Sequence, residues 1–194
     1  MDRRGLLKLL GDCSKIADIG CGDAIYVWAG RPPDNVYCID IDYYPHLAVQ
    51  ADARMLPLRS NAFDCALLME ILEHVDNVEA TIREALRVAR KIAISYPHET
   101  MTIEQARRHY AGILDFLKTA GIKHKPLETT PAPGGVHVQH WHWKSEEQIK
   151  SDVEAITRLC GPPIELDYGI YRGWGWICST SGHYLFSTSE KPVL

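Results

Sequence analysis

The sequence predicts a doubly wound α/β domain built on a mostly parallel sheet. Short β-rich apolar runs alternate with helix-patterned segments through the first half of the chain, and turn residues punctuate each change. Composition agrees: 194 residues, 46% hydrophobic and 24% charged, is the balance of one soluble domain spanning 1–194. Folding at this length buries roughly 70% of the surface of the unfolded chain, so no disulfide or structural metal is required. Sheets of this kind bind ligands in the crevice beyond the carboxyl ends of their strands. The residues just past each strand therefore carry the functional information.

Residues 15–20 form a strand that breaks into a glycine turn, and no helix is predicted ahead of it. A short helix over 24–29 ends at Arg31-Pro32-Pro33. Residues 36–40 make a second strand and 47–50 a third, with too little chain between them for a full crossover helix. Residues 62–69 are a buried central strand. After it, Asp76 and Glu79 read as a capping box, and Val78, Ile82, Ala85, Leu86 and Ala89 recur on one helical face. Arg87, Arg90 and Lys91 crowd the end of that helix, and a fifth strand covers 91–96.

Beyond Pro97 the rhythm changes. A helix is predicted over 102–119 and a loop over 120–135 rich in Pro, Gly, Thr and Lys, so 97–143 reads as an insertion or lid that sets substrate choice. A strand-like stretch over 136–143, a helix from Ser145 to about Cys160, and strands over 164–171 and 177–187 complete the domain.

Charge and cysteine usage narrow the function classes. The formal net charge of -4 lacks the basic excess that drives binding to phosphate backbones, so nucleic acid is not a favoured partner. The longest apolar run, 66–69, is too short to span a bilayer. Six cysteines without a C-x-x-C pair suggest neither a zinc ribbon nor a disulfide framework, and a cytoplasmic protein is expected. Of nine histidines, His98, His109, His124, His137, His140 and His142 crowd into one stretch.

Asp18-Ile19-Gly20-Cys21-Gly22-Asp23-Ala24 sits at a strand-to-helix turn, where two glycines let a ligand approach the backbone. A dinucleotide fingerprint requires glycine at position 25, which is Ile25. The loop instead resembles the D/E-x-G-x-G-x-G segment of class I S-adenosylmethionine-dependent methyltransferases, with Ala24 in place of the last glycine. Asp40, at the second strand end, matches the family's ribose-binding acid. Gln50-Ala51-Asp52-Ala53-Arg54-Met55-Leu56-Pro57-Leu58 resembles its "D-A-x-x-L-P-F" segment, whose acid accepts from the adenine amino group. Asn61-Ala62-Phe63-Asp64 and Glu70-Ile71-Leu72-Glu73-His74-Val75 resemble its "x-x-F-D" strand and "E-x-x-E-H-V" turn.

The likeness is nearest to the small type 11, UbiE-like methyltransferases and covers residues 12–96. It implies a Rossmann-like sheet with an antiparallel last strand and helices on both faces. It further implies S-adenosyl-L-methionine as cofactor, held by Asp18, Gly20, Gly22, Asp40, Asp52, Ala53 and Glu70.

Methyl transfer from a sulfonium is an in-line displacement, so the protein chiefly positions the partners and removes a proton. Tyr96, His98 and His140 are the candidates for that catalytic work, and the acceptor is expected to be an O or N nucleophile of a small molecule or other non-basic substrate. No Asn/Asp-Pro-Pro-aromatic or Pro-Cys motif of base methylation follows the fourth strand. Trp174 and Trp176 read either as packing or as an aromatic wall for the substrate. Glu70, Glu73 and His74, facing His137, His140 and His142, also resemble the metal site of small-RNA 2′-O-methyltransferases, but the metal-free reading is preferred. A non-catalytic module that binds S-adenosylmethionine is the remaining alternative.

Overall fold

The computed structural model describes residues 3–97, 119, 129–132, 135–138, 146–167 and 172–180. Its centre is a seven-stranded sheet of β1 (Ile16–Ile19), β2 (Val36–Asp40), β3 (Val49–Gln50), β4 (Phe63–Met69), β5 (Ala89–Pro97), β8 (Ile164–Asp167) and β9 (Arg172–Ser179). The spatial order is β3-β2-β1-β4-β5-β9-β8. Pairings from β3 through β5 are parallel, whereas β9 runs antiparallel to both β5 and β8. The predicted sheet class, with its antiparallel last strand, is the observed one.

Side-chain alternation along β4 shows why the sheet is covered on both faces. Ala66 and Leu68 join one apolar cluster with Ile19, Ile39, Ile82, Ile92, Ile94 and Trp176. Cys65, Leu67 and Met69 join the opposite one with Leu6, Leu10 and Ile177. The first face is covered by α3 (Val78–Val88) and α4 (Glu146–Cys160), which contribute Ile82 and Ile156. The second is covered by α1 (Arg3–Leu9) and by α2 (Ile25–Trp28), whose Trp28 packs against that cluster. Burying a side chain such as Ile82 fully is worth about 1.5–3 kcal/mol.

Several expectations are corrected. A helix does precede the first strand: Leu6 and Leu10, four residues apart, are 0% and 2% exposed on the second face. The cap of α3 is Asn77 and not Asp76; the Asn77 side chain accepts from the Ala80 amide at 2.9 Å, while the Asp76 side chain points out at 97% exposure. The end of the predicted 120–135 loop is a strand, β6 (Thr129–Ala132), paired antiparallel with β7 (Gly135–Val138). Trp174 and Trp176 lie inside β9 and not between strands. The predicted helix over 102–119 falls, but for one residue, outside the described residues.

The cysteines also depart from expectation. Cys13 pairs with Cys65, and Cys160 with Cys178, with Cα–Cα separations of 5.9 and 4.8 Å. The first joins the α1–β1 connection to β4 and the second joins the last residue of α4 to β9, proximities that sequence separations of 52 and 18 do not reveal. No described helix is long and apolar enough to cross a membrane.

Candidate functional site

The site is assembled at the carboxyl ends of β1, β2 and β4. The chain leaves β1 through Gly20 and Gly22, both with positive φ (75° and 54°). The Gly20 and Cys21 amides donate to the Ile39 carbonyl at 2.8 and 3.3 Å, which lays this loop against the end of β2. A Cβ on Gly20 would overlap the Ile71 side chain, so only glycine lets the loop pass the turn that follows β4. At Gly22 a Cβ would meet nothing within 4 Å, so this glycine faces open space. Ala24 has φ 60°, the left-handed conformation that a glycine at this place in the motif would adopt freely.

Asp40 ties the two strand ends together. Its Oδ2 accepts from the Gly22 amide at 2.8 Å, and its Oδ1 from the Asp42 amide at 2.9 Å. The Asp40 carbonyl takes the Ala51 amide at 2.9 Å, and the Gln50 side chain donates to the Ile41 carbonyl at 2.8 Å. The segments after β2 and β3 therefore leave the sheet side by side, bringing Asp40 and Asp52 to one edge. Ile41 stands next to Asp40 with 63% of its surface exposed.

Asp18 lies beneath the loop, 2% exposed, its Oδ2 accepting from the Trp28 indole at 2.6 Å. Burial pushes its carboxyl up to about 6; the indole bond opposes that rise and the neighbouring charge of Asp40 adds to it. Asp52 is the opposite case. Its carboxylate is gripped by the Arg54 side chain, with Nη2 at 2.6 Å, and by the Arg54 amide at 2.8 Å, which hold it down at about 2. The Ala53 side chain is buried, leaving its backbone as the part that can meet a ligand. Glu84 and Arg87 of α3 fix the following turn: Glu84 accepts from the Leu56 amide, and Arg87 donates to the Leu56 and Leu58 carbonyls.

Glu70, at the end of β4, has φ 57° and accepts from the Ser95 hydroxyl at 2.7 Å. Such strain at a strand end beside the glycine loop is where a site is expected to store it.

Residues 17–94 match the family model described as a methyltransferase domain, of type 11. Over that stretch the chain is similar to methyltransferase domains of type 11. That likeness supports an S-adenosylmethionine-dependent methyltransferase, with S-adenosylmethionine as the cofactor. Solved structures agree on the fold. A protein of Pyrococcus horikoshii is 14% identical, with a TM-score of 0.52 over 91% of this chain and 87% of its own. S-adenosylmethionine-dependent methyltransferases of Methanosarcina mazei and Aquifex aeolicus are 16% and 17% identical, each with a TM-score of 0.50. The first covers 91% of this chain and 97% of its own, the second 90% and 88%. No curated protein matches the chain.

The loop suits that cofactor. The open space at Gly22, the exposed apolar surface of Ile41 and the paired acids Asp40 and Asp52 offer a backbone cradle, a face for a ring and acceptors for hydroxyl or amino hydrogens. The proposed catalytic residues fare differently. His98 and His140 lie outside the described residues. Tyr96 is corrected: it is 0% exposed, packed with Ile92 and Ile94, and its hydroxyl donates to Asp152 Oδ2 of α4 at 2.7 Å. Burial, then the Asp152 bond, push the phenol well above its ordinary range, so it holds α4 to the sheet and does not serve as a base. Tyr96→Phe is expected to lower stability by about 1–2 kcal/mol in denaturant unfolding and to leave S-adenosylhomocysteine affinity unchanged.

Trp176 is 0% exposed in the same cluster and so forms no aromatic wall, while Trp174 is half-buried and packs against that cluster. Of the residues considered for a metal, the side chains of His137, His140 and His142 lie outside those described, and Glu70, Glu73 and His74 form no three-ligand group among the described residues. Leu72–His74 is a 3₁₀ turn, Glu70 reaches Ser95, and Glu73 is 8% exposed with His74 at 3.7 Å. Among the described residues the ligand atoms that do converge belong to Cys21, Cys38 and His46, a group that sequence spacing gave no reason to join.

Proposed function

We propose that the methyltransferase seats its cofactor with the Gly20–Gly22 loop beneath it, the ribose hydroxyls on Asp40 and the adenine beside Asp52, Ala53 and Ile41. We further propose that it methylates an O or N nucleophile of a small-molecule or other non-basic acceptor. The observation that carries the first half is the double role of Asp40, which clamps the Gly22 amide and its own turn through separate oxygens. Those bonds leave further lone pairs on the same carboxylate for hydroxyl donors. Asp18 supplies negative charge under the loop, a suitable partner for the positive end of the cofactor, and Glu70 stands at the third strand end of the crevice.

When bound, the cofactor supplies a methyl group already activated on a sulfonium. What the protein must add is alignment and a place for the departing proton. His98 and His140 of segment 97–143, which follows the end of β5, take that proton, and the segment would shield the transfer from water. The net charge of -4 supports a non-basic acceptor in preference to a polyanion.

Two measurements test these halves. Asp40→Ala is expected to weaken S-adenosylhomocysteine binding at least about tenfold in calorimetry, because a ribose acceptor and the clamp on Gly22 are lost together. Unchanged affinity would refute the seating. Incubation with methyl-labelled S-adenosylmethionine and separated small-molecule, RNA and protein fractions is expected to label the small molecules; label confined to RNA would refute the acceptor class.

A further inference from the structure

Under the cofactor loop, on the face of the sheet that carries Asp18, two cysteines outside the disulfides meet a histidine. Cys21 lies in the loop itself, Cys38 is buried in β2, and His46 comes from the connection between β2 and β3. One ligand atom from each falls within 4.8 Å of the other two. Cys21 Sγ and His46 Nε2 are 3.9 Å apart, and Nε2 is 3.0 Å from the Gly22 carbonyl, which holds the imidazole against the loop.

We propose that Cys21, Cys38 and His46 form a binding site for a thiophilic cation of the Zn2+ kind. Zinc binds thiolate sulfur at about 2.3 Å and imidazole nitrogen at about 2.0–2.1 Å, so its ligand atoms in a tetrahedron stand roughly 3.5–3.8 Å apart. The present trio needs to contract by at most about 1.3 Å to meet that geometry. The nearby charges that act on Cys21 include Asp18 and Asp40, both negative, so the surroundings favour a cation. Two thiolates with one imidazole are a soft donor set, unlike the oxygen sets that suit magnesium or calcium.

The binding step balances simply. One Zn2+ enters, two thiol protons leave to solvent, and Nε2 exchanges its contact with the Gly22 carbonyl for the metal while its proton resides on Nδ1. Three protein ligands leave a fourth position open. Bound metal would join the cofactor loop to β2 and to the β2–β3 connection through side chains, a fixing of the loop that is separate from the Asp40 clamp.

The test needs neither cofactor nor acceptor, so its failure is distinguishable from failure of the proposed seating. Co2+ is titrated into the full chain anaerobically without thiol reductant, which keeps the four paired cysteines out of reach, and Zn2+ is then used to displace it. The expected result is one ion per chain, a thiolate-to-cobalt charge-transfer band, and loss of at least about a hundredfold in Zn2+ affinity in both Cys38→Ser and His46→Ala. Thermal melts report whether each variant is folded; His46 lies in a half-buried connection, so His46→Ala decides the matter if Cys38→Ser is unstable. Absence of the charge-transfer band in the unaltered protein, or a folded His46→Ala that binds Zn2+ as tightly, would overturn the site.

Discussion

Gly20→Val is expected to abolish S-adenosylhomocysteine binding and to lower stability by roughly 2–5 kcal/mol. Two costs add. The backbone at Gly20 has φ 75°, a region that costs a β-branched residue about 1–2 kcal/mol or more. The new Cβ would overlap the Ile71 side chain, which is packed against the main core cluster, and relief of that overlap costs about 1–3 kcal/mol more. Against a total stability of about 5–15 kcal/mol this is a large fraction. Gly22→Ala separates binding from folding. Its Cβ meets no protein atom within 4 Å, so the variant carries only the left-handed backbone cost of about 1–2 kcal/mol and stays folded. Its methyl would nevertheless occupy the space in which the cofactor is proposed to approach the backbone. Calorimetry with S-adenosylhomocysteine and thermal melts on both variants check this: a folded Gly22→Ala that retains full affinity would remove Gly22 from the site.

The parts of the fold that were legible in the sequence are those set by local composition and periodicity. Residues 36–40 are rich in β-formers and are β2, and Val78, Ile82 and Ala85 mark one buried face of α3. The glycine loop was legible because φ above zero leaves a compositional trace at Gly20 and Gly22. Features set by tertiary packing were not. Leu6 and Leu10 carry a helical spacing, yet α1 has only seven residues, short enough that its stability comes from docking on the sheet and not from propensity. The choice of Asn77 over Asp76 as cap depends on which of two adjacent acceptors has the chain entering the helix, and composition does not fix that.

Tyr96 could have been placed correctly. It shares strand parity with Ile92 and Ile94, which sends its ring into the core, while Ser95, of opposite parity, reaches Glu70. Its position at a strand's carboxyl end suggested function, but the alternation along β5 carried the better information. For β9 the signal was weak in principle, since Gly173 and Gly175 read as loop residues, and it is pairing with β5 on one side and β8 on the other that makes the segment a strand. The convergence of Cys21, Cys38 and His46 joins a loop, a strand and a connection, so no single-element pattern encodes it.

Asp18→Asn is expected to make the protein more stable at pH 8 by about 2–3 kcal/mol and less able to hold its cofactor. In the folded protein the Asp18 carboxyl is raised from 3.8 to about 6, chiefly by burial, so the folded state binds its proton more tightly than the unfolded state does. The stability tied to the neutral form is therefore fully present below about pH 4 and is lost as the pH rises through about 6. At 1.36 kcal/mol per unit, a rise of about two units amounts to roughly 3 kcal/mol above that range. Asparagine is close in shape, keeps an oxygen for the Trp28 indole, and carries no charge to desolvate. Melting temperatures should thus coincide near pH 4, diverge as the pH rises from about 4 to 6, and stay apart above that, with the variant higher. The ionised carboxylate is costly in the free protein, and under the proposed seating the positive end of the cofactor offsets that cost on binding. Removing the charge should then weaken S-adenosylhomocysteine affinity about tenfold while the fold gains stability, the exchange of stability for function expected of a buried charge in a binding site. A variant that is less stable at pH 8, with cofactor affinity intact, would show instead that the Asp18 charge serves the fold.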